Sequence, residues 1–458
     1  LMLILCEPST KAVETANRIY ALAKEIGVKE IYAVGNKITS KEQEKFISEN
    51  LNFGVLGFIP FDEEIVKSDL ANKPLIDYGS SSEALKTIRG IAAKMANLDK
   101  INIVEALLKP EAYDEKVEKI ELMQTHISFV FLTGRYVYKV KKPVNFGFLD
   151  FTTLAKRKFY CEEEVRVNRP LCGDMYIGVV PINKQDGIKI SGPGETVEYA
   201  VKMRQLPQEA IMTLLLKKNM VTEKNIDDIA GLLADFHAKA RTGEGVDEYG
   251  SAAQIRANWV QNFEQTRSLR GSLINKKVFD FVEANVLKFM ELKAELFGAR
   301  VAESRIRECH GDVHSGNIFI ALVPKERRHE RHSYARSYGA NAEIYIFDAI
   351  EFNRTFKCSD VAAEVAFLAM DLEFHGKREL ANFFVKQYMH YSGDLQLQRL
   401  LPFYKCYRAY VRAKVASFKL GDADIGKKDK KEAERLTKQY FDLAYEYAKQ
   451  LLSLRWTK

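Results

Sequence analysis

At 458 residues the chain is too long for one ordinary core, so two or three domains are expected. Hydrophobic content of 47% beside 29% charged residues is that of a soluble globular protein. The net charge of +7 is a mild excess spread along the chain; it suits anionic ligands such as nucleotides but is not the footprint of a nucleic-acid binder. No apolar run reaches the roughly 18 residues of a membrane span, and the opening residues 1–10 lack the basic stretch of a signal peptide. Cys6, Cys161, Cys172, Cys309, Cys358 and Cys406 stand far apart with no CxxC pair, the pattern of reduced, mostly buried thiols in a cytoplasmic protein, and no structural zinc site is expected.

Residues 1–98 alternate short apolar runs with amphipathic stretches. Leu3 to Leu5 reads as a buried strand, and Ala16, Ile19, Ala23 and Ile26 have helical spacing that stops at Gly27. Ile31 to Val34 is strand-like, Lys41 to Asn50 helical, and Val55 to Ile59 strand-like again before Pro60. That rhythm predicts βαβ units on a parallel sheet. The polar stretch at 98–102 is the expected linker. Beyond it, Glu118 to Val140 reads as two strands joined near Thr133-Gly134, Phe159 to Asn168 as a charged helix, and Val197 to Met203 as a strand. From Gln208 helices dominate: Ile229, Leu232, Leu233 and Phe236 share a face, and Leu401 to Phe418 and Glu432 to Leu452 are long helical stretches. The charge run Lys427 to Arg435 reads as a solvated loop and helix start. The expected fold is therefore α+β and two-lobed, with a β-rich small lobe over 103–205 and a helical large lobe over 206–458.

The sharpest local pattern is His310-Gly311-Asp312-Val313-His314-Ser315-Gly316-Asn317, a glycine-containing loop running into an apolar strand. Downstream, Ile344 to Phe347 is a second strand and delivers Asp348. Phosphoryl transfer needs a carboxylate to orient the acceptor hydroxyl and oxygen ligands to hold magnesium on the phosphates, and an Asp, an Asn five residues on and a second Asp meet that need. His310 and His314 are four apart, but the glycines argue against a helix there and no third ligand stands nearby, so His310 reads as structural. Asp312 and Asp348 are 36 residues apart, more than a tight hairpin needs. The excess, 323–342, holds Arg327, Arg328, His329, Arg331, His332 and Arg336 and reads as an exposed excursion, with an anion- or acceptor-contacting loop as the sharper alternative.

This set resembles the aminoglycoside phosphotransferase and related small-molecule kinase family. His310 to Asn317 looks like its HGDxHxxN catalytic loop, Phe347-Asp348-Ala349-Ile350-Glu351 like its metal-binding segment, and Ser359-Asp360-Val361-Ala362 like the element that follows. The resemblance implies a kinase-like fold, ATP and Mg2+ as cofactors and a small-molecule acceptor. Asp312 would be the catalytic base, Asn317 and Asp348 the metal ligands, and Asp360 a structural support. A strand lysine set by a helix glutamate is the other requirement. Tyr136 to Lys142 is an alternating strand in which Lys139 is the first choice and Lys141, on the same face by period two, the second. The partner should come from Glu162-Glu163-Glu164, with Glu164 preferred. A glycine-rich phosphate loop is missing from Gln124 to Ser128, and Val201 to Pro207 looks like the hinge that would read adenine. Arg408 and Arg412, one helical turn apart and flanked by tyrosines, are either an acceptor-binding pair or snorkelling arginines of an ordinary amphipathic helix.

Residues 1–98 resemble the second half of a MinD/ParA-type ATPase, similar to the accessory ATPases of carbon monoxide dehydrogenase. The matching pieces are Leu3 to Ser9, Val34-Gly35-Asn36-Lys37 and Leu56 to Asp62, and by resemblance Asn36 would contact adenine. The phosphate-binding GKT loop is absent, so the segment reads as a partial domain without ATPase activity of its own. It is the expected place for a protein partner; no nucleic acid or membrane partner is expected. The competing function is a nucleotide-binding regulatory or metallocentre-maturation accessory protein that binds ATP without transferring phosphate.

Overall fold

The computed structural model describes residues 1–28, 30–71, 73–75, 82–322, 342–421 and 426–454. They fall into two compact units, Leu1–Ala112 and Tyr113–Lys458.

In the first unit β1 (Met2–Cys6), β2 (Ile31–Ile38) and β3 (Val55–Pro60) form a parallel sheet in that order. The helices α1 (Thr10–Glu25), α2 (Lys41–Asn50) and α3 (Glu63–Leu70) follow the three strands in turn, giving the expected βαβ alternation. Ser9 caps α1 by accepting the Ala12 N–H. The buried face of α1 is Val13, Ala16 and Ala23, packed on Ile4, Cys6 and Ile31. Ile19 and Ile26, expected on that face, are 36% and 80% exposed. The small alanines let the helix lie close to the sheet, and that closeness turns both isoleucines outward. The helix α4 (Glu83–Leu107) runs through 98–102, so the stretch expected as a linker is helical and the division falls later.

The second unit starts with six antiparallel strands: β4 (Glu121–Gln124), β5 (Ser128–Leu132), β6 (Tyr136–Lys141), β7 (Tyr176–Lys184), β8 (Ile188–Ile190) and β9 (Glu195–Arg204). Their order in the sheet is β4-β5-β6-β9-β7-β8. Residues 118–140 thus hold parts of three strands rather than two, the extra turn lying at 125–127. The helix α5 (Leu154–Cys172), capped by Thr153, lays Cys161 and Val165 on Val137, Val201 and Met203 of the sheet.

The rest of the unit is mainly helical: α6 (Met212–Lys217), α7 (Glu223–Lys239), α8 (Ala252–Thr266), α9 (Lys276–Leu292) and α10 (Ala294–Ala302) lead into short strand β10 (Ile306–Glu308). The strands β11 (Ile318–Leu322) and β12 (Ala342–Ile346) pair antiparallel, while α11 (Arg354–Lys357) leads into β13 (Cys358–Asp360), which pairs with β10. Last come α12 (Val361–Phe374), α13 (Arg378–Ser392), α14 (Leu397–Phe418) and α15 (Lys427–Leu454). The charge run at 427–435 is thus the first turns of α15, mostly exposed.

One strand sews the two cores together. Because side chains alternate along a strand, Ile318 and Ile320 of β11 enter the helical core while Phe319 and Ala321 enter the core under the sheet. The catalytic-loop pattern ends on this strand, so it sits at the seam between a β-rich and an α-rich half. All six cysteines are buried and free. Among the described residues no helix is long and apolar enough to cross a membrane.

Candidate active site

Gly311 gives the loop its shape. Its φ is +89°, and a Cβ there would lie 3.0 Å from Phe356 O and 3.1 Å from Ile350 Cδ1. Gly311→Ala therefore combines left-handed strain with a backbone clash, and it is expected to lower stability by about 1–3 kcal/mol in urea unfolding.

From that turn the loop folds back on itself. The Asn317 Nδ2 donates to Asp312 Oδ2 at 2.9 Å and to Asp312 O at 3.0 Å. His314 Nε2 lies 3.6 Å from the same carboxylate oxygen. Burial pushes the Asp312 carboxyl up, but His314, Arg412 and His310 outweigh it and hold it well below the ordinary carboxylate range. About a third of its side chain remains exposed (35%), enough for a ligand to reach it.

Asp348 is brought alongside by the β11–β12 ladder. Ile318 pairs with Ile346, and the Phe347 N–H donates to Asn317 O at 3.0 Å. His310 closes the other side: its Nε2 meets Phe347 O at 3.0 Å, and its carbonyl accepts the Ile350 N–H. Burial, the largest influence, lowers the pKa of His310, although Glu364, Asp312 and Asp348 all act to raise it. It is a buried loop strut, as its sequence context suggested. Asp348 itself has φ +64° and a side chain 46% exposed.

The lysine half faces this loop. Lys139 Nζ is 2.6 Å from Asp348 Oδ1 and 2.9 Å from Glu164 Oε1, the second contact being an ion pair outside hydrogen-bond alignment. Burial opposes the charge on Lys139, but Asp348 and Glu164 together raise its pKa well above the ordinary value. Lys141 shares Glu164, through Oε2 at 2.6 Å, but its other partner is Glu351 at 2.5 Å and its side chain has no exposed surface. The structure thus corrects the reading of Lys141 as a nucleotide contact: it is a buried counter-ion that fixes Glu164. Glu163 turns away to Arg166. Asn168 ties α5 to the same segment, donating to Glu164 O and accepting the Ala349 N–H at 2.9 Å.

The arginine pair divides. Arg408 is buried, donates to Gly311 O and Ala363 O at 3.1 Å each, and lies over the Phe367 ring, so it supports the loop and is not placed to bind an acceptor. Arg412 is half-buried, 5.6 Å from the Tyr440 ring, and close enough to Asp312 for each to shift the other's pKa. Asp360 pairs with buried Arg300 and caps α12. Val201 to Arg204 belong to β9 and Gln205 to Pro207 leave the sheet. The excursion after Leu322, with its arginines and histidines, lies outside the described residues.

Sequence reasoning missed Glu364. It is fully buried, accepts the His310 and Gly311 N–H groups at 3.1 and 2.5 Å, and meets His237 Nε2 at 2.8 Å. Its signal was a single acid inside the apolar run Val361 to Met370. Asp371, which accepts the Ser315 N–H at 2.8 Å, was missed for the same reason.

No family model matches the chain. It is 30% identical over 296 residues to uncharacterized proteins of Mycobacterium tuberculosis and Mycobacterium bovis, a match covering 65% of this chain and 54% of theirs. The chain thus spans about half the length of these relatives. Shorter matches are an uncharacterized ATP-binding protein of Methanocaldococcus jannaschii (35% over 100 residues, 21% of this chain and 39% of that one) and the carbon monoxide dehydrogenase accessory protein CooC of Rhodospirillum rubrum (36% over 78 residues, 17% and 30%). These two support the ATPase-like segment. Among solved structures, a Plasmodium vivax ethanolamine kinase aligns at TM-score 0.41 and 12% identity, covering 73% of this chain and 83% of that one. An aminoglycoside phosphotransferase of Alicyclobacillus acidocaldarius aligns at 0.41 and 14%, covering 75% and 93%. The chain's structural likenesses are to small-molecule kinases and phosphotransferases. Overlap at this level is loose, and what the crevice can do follows from its own residues.

Proposed function

We propose that the second unit transfers a phosphoryl group from ATP to a hydroxyl of a small molecule, with magnesium. One observation carries this reading: Asn317 donates to Asp312 and, through its carbonyl, holds the Phe347 N–H, and the next residue, Asp348, pairs with a lysine that also contacts Glu164. Asn317 and Asp348 fit magnesium, which takes oxygen ligands. Because Asn317 commits its Nδ2 to Asp312, its Oδ1 is the atom left to coordinate, beside a half-exposed Asp348 carboxylate. Bound there, magnesium would supply positive charge to the phosphate oxygens. Lys139, kept charged by its two acids, would add a second cation for the phosphates. Asp312 would orient the acceptor hydroxyl. As the acceptor oxygen bonds to the terminal phosphorus and the bond to the departing ADP breaks, the hydroxyl proton passes to Asp312. A carboxylate held this far below its usual range is a weak base, suited to orienting the hydroxyl and taking its proton late.

The test is Asp312→Asn. With magnesium and ATP, ADP formation is expected to fall about 10²–10³-fold while nucleotide binding persists. A variant as fast as the wild type would reject the role of Asp312. The competing reading draws on the β4–β5 turn, which Thr125 Oγ1 closes by accepting the Ser128 N–H at 2.9 Å, with no glycine. It predicts ATP binding with no magnesium-dependent ADP formation in the wild type.

A further inference from the structure

Among the elements that touch the catalytic loop, three helices have a basic residue four positions beyond the point of contact. On α6, Thr213 Oγ1 meets Ser315 Oγ at 2.8 Å, and four residues on is Lys217. On α12, Asp371 accepts the Ser315 N–H, and His375 follows at the C-terminal end with its Nε2 3.8 Å from Asp371 Oδ1. On α14, Arg408 donates to Gly311 O, and Arg412 follows. Residues four apart on a helix share a face, so the three bases continue past the loop along the faces that grip it.

They also converge. Phe374, beside His375, stacks on Tyr440 at 4.0 Å, and Arg412 lies over the same ring at 5.6 Å. Burial lowers the pKa of His375, and Lys217, Arg412 and His314 lower it further, against Asp371. Lys217 and Arg412 thus both act on His375, and Arg412 acts on Asp312 as well.

The neighbouring acids are largely committed. Asp371 holds Ser315 N–H, Glu373 pairs with Lys405 at 2.7 Å, and Glu432, near Lys217, pairs with Arg435 at 2.5 Å. Among the described residues, neither Lys217 nor Arg412 has a carboxylate at ion-pair distance. A planar guanidinium beside the catalytic carboxylate, with a loose ammonium near His375, suits a phosphate or carboxylate oxygen and repels a cation.

We infer that the hydroxyl acceptor carries an anionic group, a phosphate or a carboxylate, read by Arg412 with Lys217 and His375; this rests on the phosphotransfer reading above. A cationic acceptor of the amino-sugar or choline kind does not fit this wall.

The experiment measures transfer from Mg-ATP by the whole chain to hydroxyl compounds of similar size: glycerol, glycerol 3-phosphate, glycerate and choline. The expected result is a preference for an anionic acceptor over glycerol, and a fall of about 10- to 100-fold in that ratio of kcat/KM in Arg412→Gln. Using a ratio removes general damage from the comparison, and exposed Lys217→Gln provides a second variant that keeps the core intact. Glycerol 3-phosphate against glycerate separates phosphate from carboxylate. Preference for choline, or an unchanged ratio in both variants, overturns the inference. If none of the four accepts, calorimetric titration of inorganic phosphate and of acetate decides. The protein is first saturated with magnesium and a non-hydrolysable ATP analogue. Binding weakened at least about tenfold in Arg412→Gln supports the wall, whereas equal or absent binding overturns it. Asp348→Asn is run in parallel. Turnover that survives it removes Asp348 from the metal site, wild-type protein that forms no ADP with magnesium sinks the phosphotransfer reading itself, and Asp348-dependent transfer to choline sinks only the anionic acceptor.

Discussion

Asp348→Asn is expected to remove magnesium-dependent ATP turnover by about 10³–10⁴-fold, the cost of losing charge stabilisation worth several kcal/mol at the phosphates. The fold should survive the change. Residue 348 sits at φ +64°, a conformation asparagine tolerates better than most residues. Its segment is held by backbone: the Asp348 N–H faces Tyr176 Oη at 3.3 Å, and the Ala349 N–H donates to Asn168. Only the carboxylate charge disappears, and with it one of the two acids on Lys139. The substitution therefore makes a split prediction. Nucleotide binding in EDTA should persist or tighten, because Lys139 is released from a competing carboxylate at 2.6 Å. The gain in affinity on adding magnesium should vanish. Retained magnesium dependence in the variant would remove Asp348 from the metal site.

Much of this crevice was legible because its chemistry is local. A hydroxyl-orienting Asp and a coordinating Asn must be close, and five residues of loop with Gly311 at positive φ bring Asn317 back onto Asp312. The βαβ rhythm of the first unit and the β-then-α order of the second were legible from periodicity for the same reason. What periodicity leaves open is depth. Lys139 and Lys141 share a face and share Glu164, and alternation alone cannot rank them. Tertiary packing separates them, setting Lys139 against Asp348 and sealing Lys141 against Glu351. Arg408 and Arg412 share a helical face in the same way, yet the loop covers the first and leaves the second half-buried. The face of α1 was misjudged because two alanines, weak signals by hydrophobicity, set its distance from the sheet, whereas the larger Ile19 and Ile26 were not needed there.

The first unit shows how far such a reading carries toward function. Its parallel strands and intervening helices form a sheet with its own small cores. Asn36, the adenine contact implied by resemblance, lies on β2, beside Lys37, which takes φ +58° and pairs with Glu7 at 2.7 Å. Helix termini become phosphate sites when glycine loops bare their N–H groups. Here Ser9 Oγ accepts the Ala12 N–H at the start of α1, and Asp62 accepts the Glu64 N–H at the start of α3. These side chains stand where an anion would dock. For these two helices a capping role explains the residues present.

Glu364→Ala should be the most destabilising of the substitutions considered, by about 3–5 kcal/mol in urea unfolding. Glu364 is an acid at the centre of the helical core with no exposed surface. Its two oxygens take the His310 and Gly311 N–H groups and His237, whose other ring nitrogen meets Tyr388 Oη at 2.8 Å. Alanine would leave two loop N–H groups and an imidazole buried without their acceptor. Glu364→Gln should cost less, about 1–3 kcal/mol, since its carbonyl can still accept one N–H while its amide faces donors. Cys309, whose sulfur lies within 4.8 Å of the His237 and Glu364 ligand atoms, adds no charge: burial pushes its thiol well up, and its Sγ donates to Ser359 O. The pH dependence gives an independent check. Burial raises the Glu364 pKa, but His237, His310 and the Gly311 N–H outweigh it, so the folded value lies below the unfolded one. Its stabilisation is therefore complete above the unfolded carboxyl pKa of about 4.3 and is lost as pH falls through the lower folded value. The gap in unfolding free energy between wild type and Glu364→Gln should hold steady from neutral pH to about 5 and narrow in more acidic buffer. A gap independent of pH across that range would mean that Glu364 holds the loop by shape alone and not as a carboxylate.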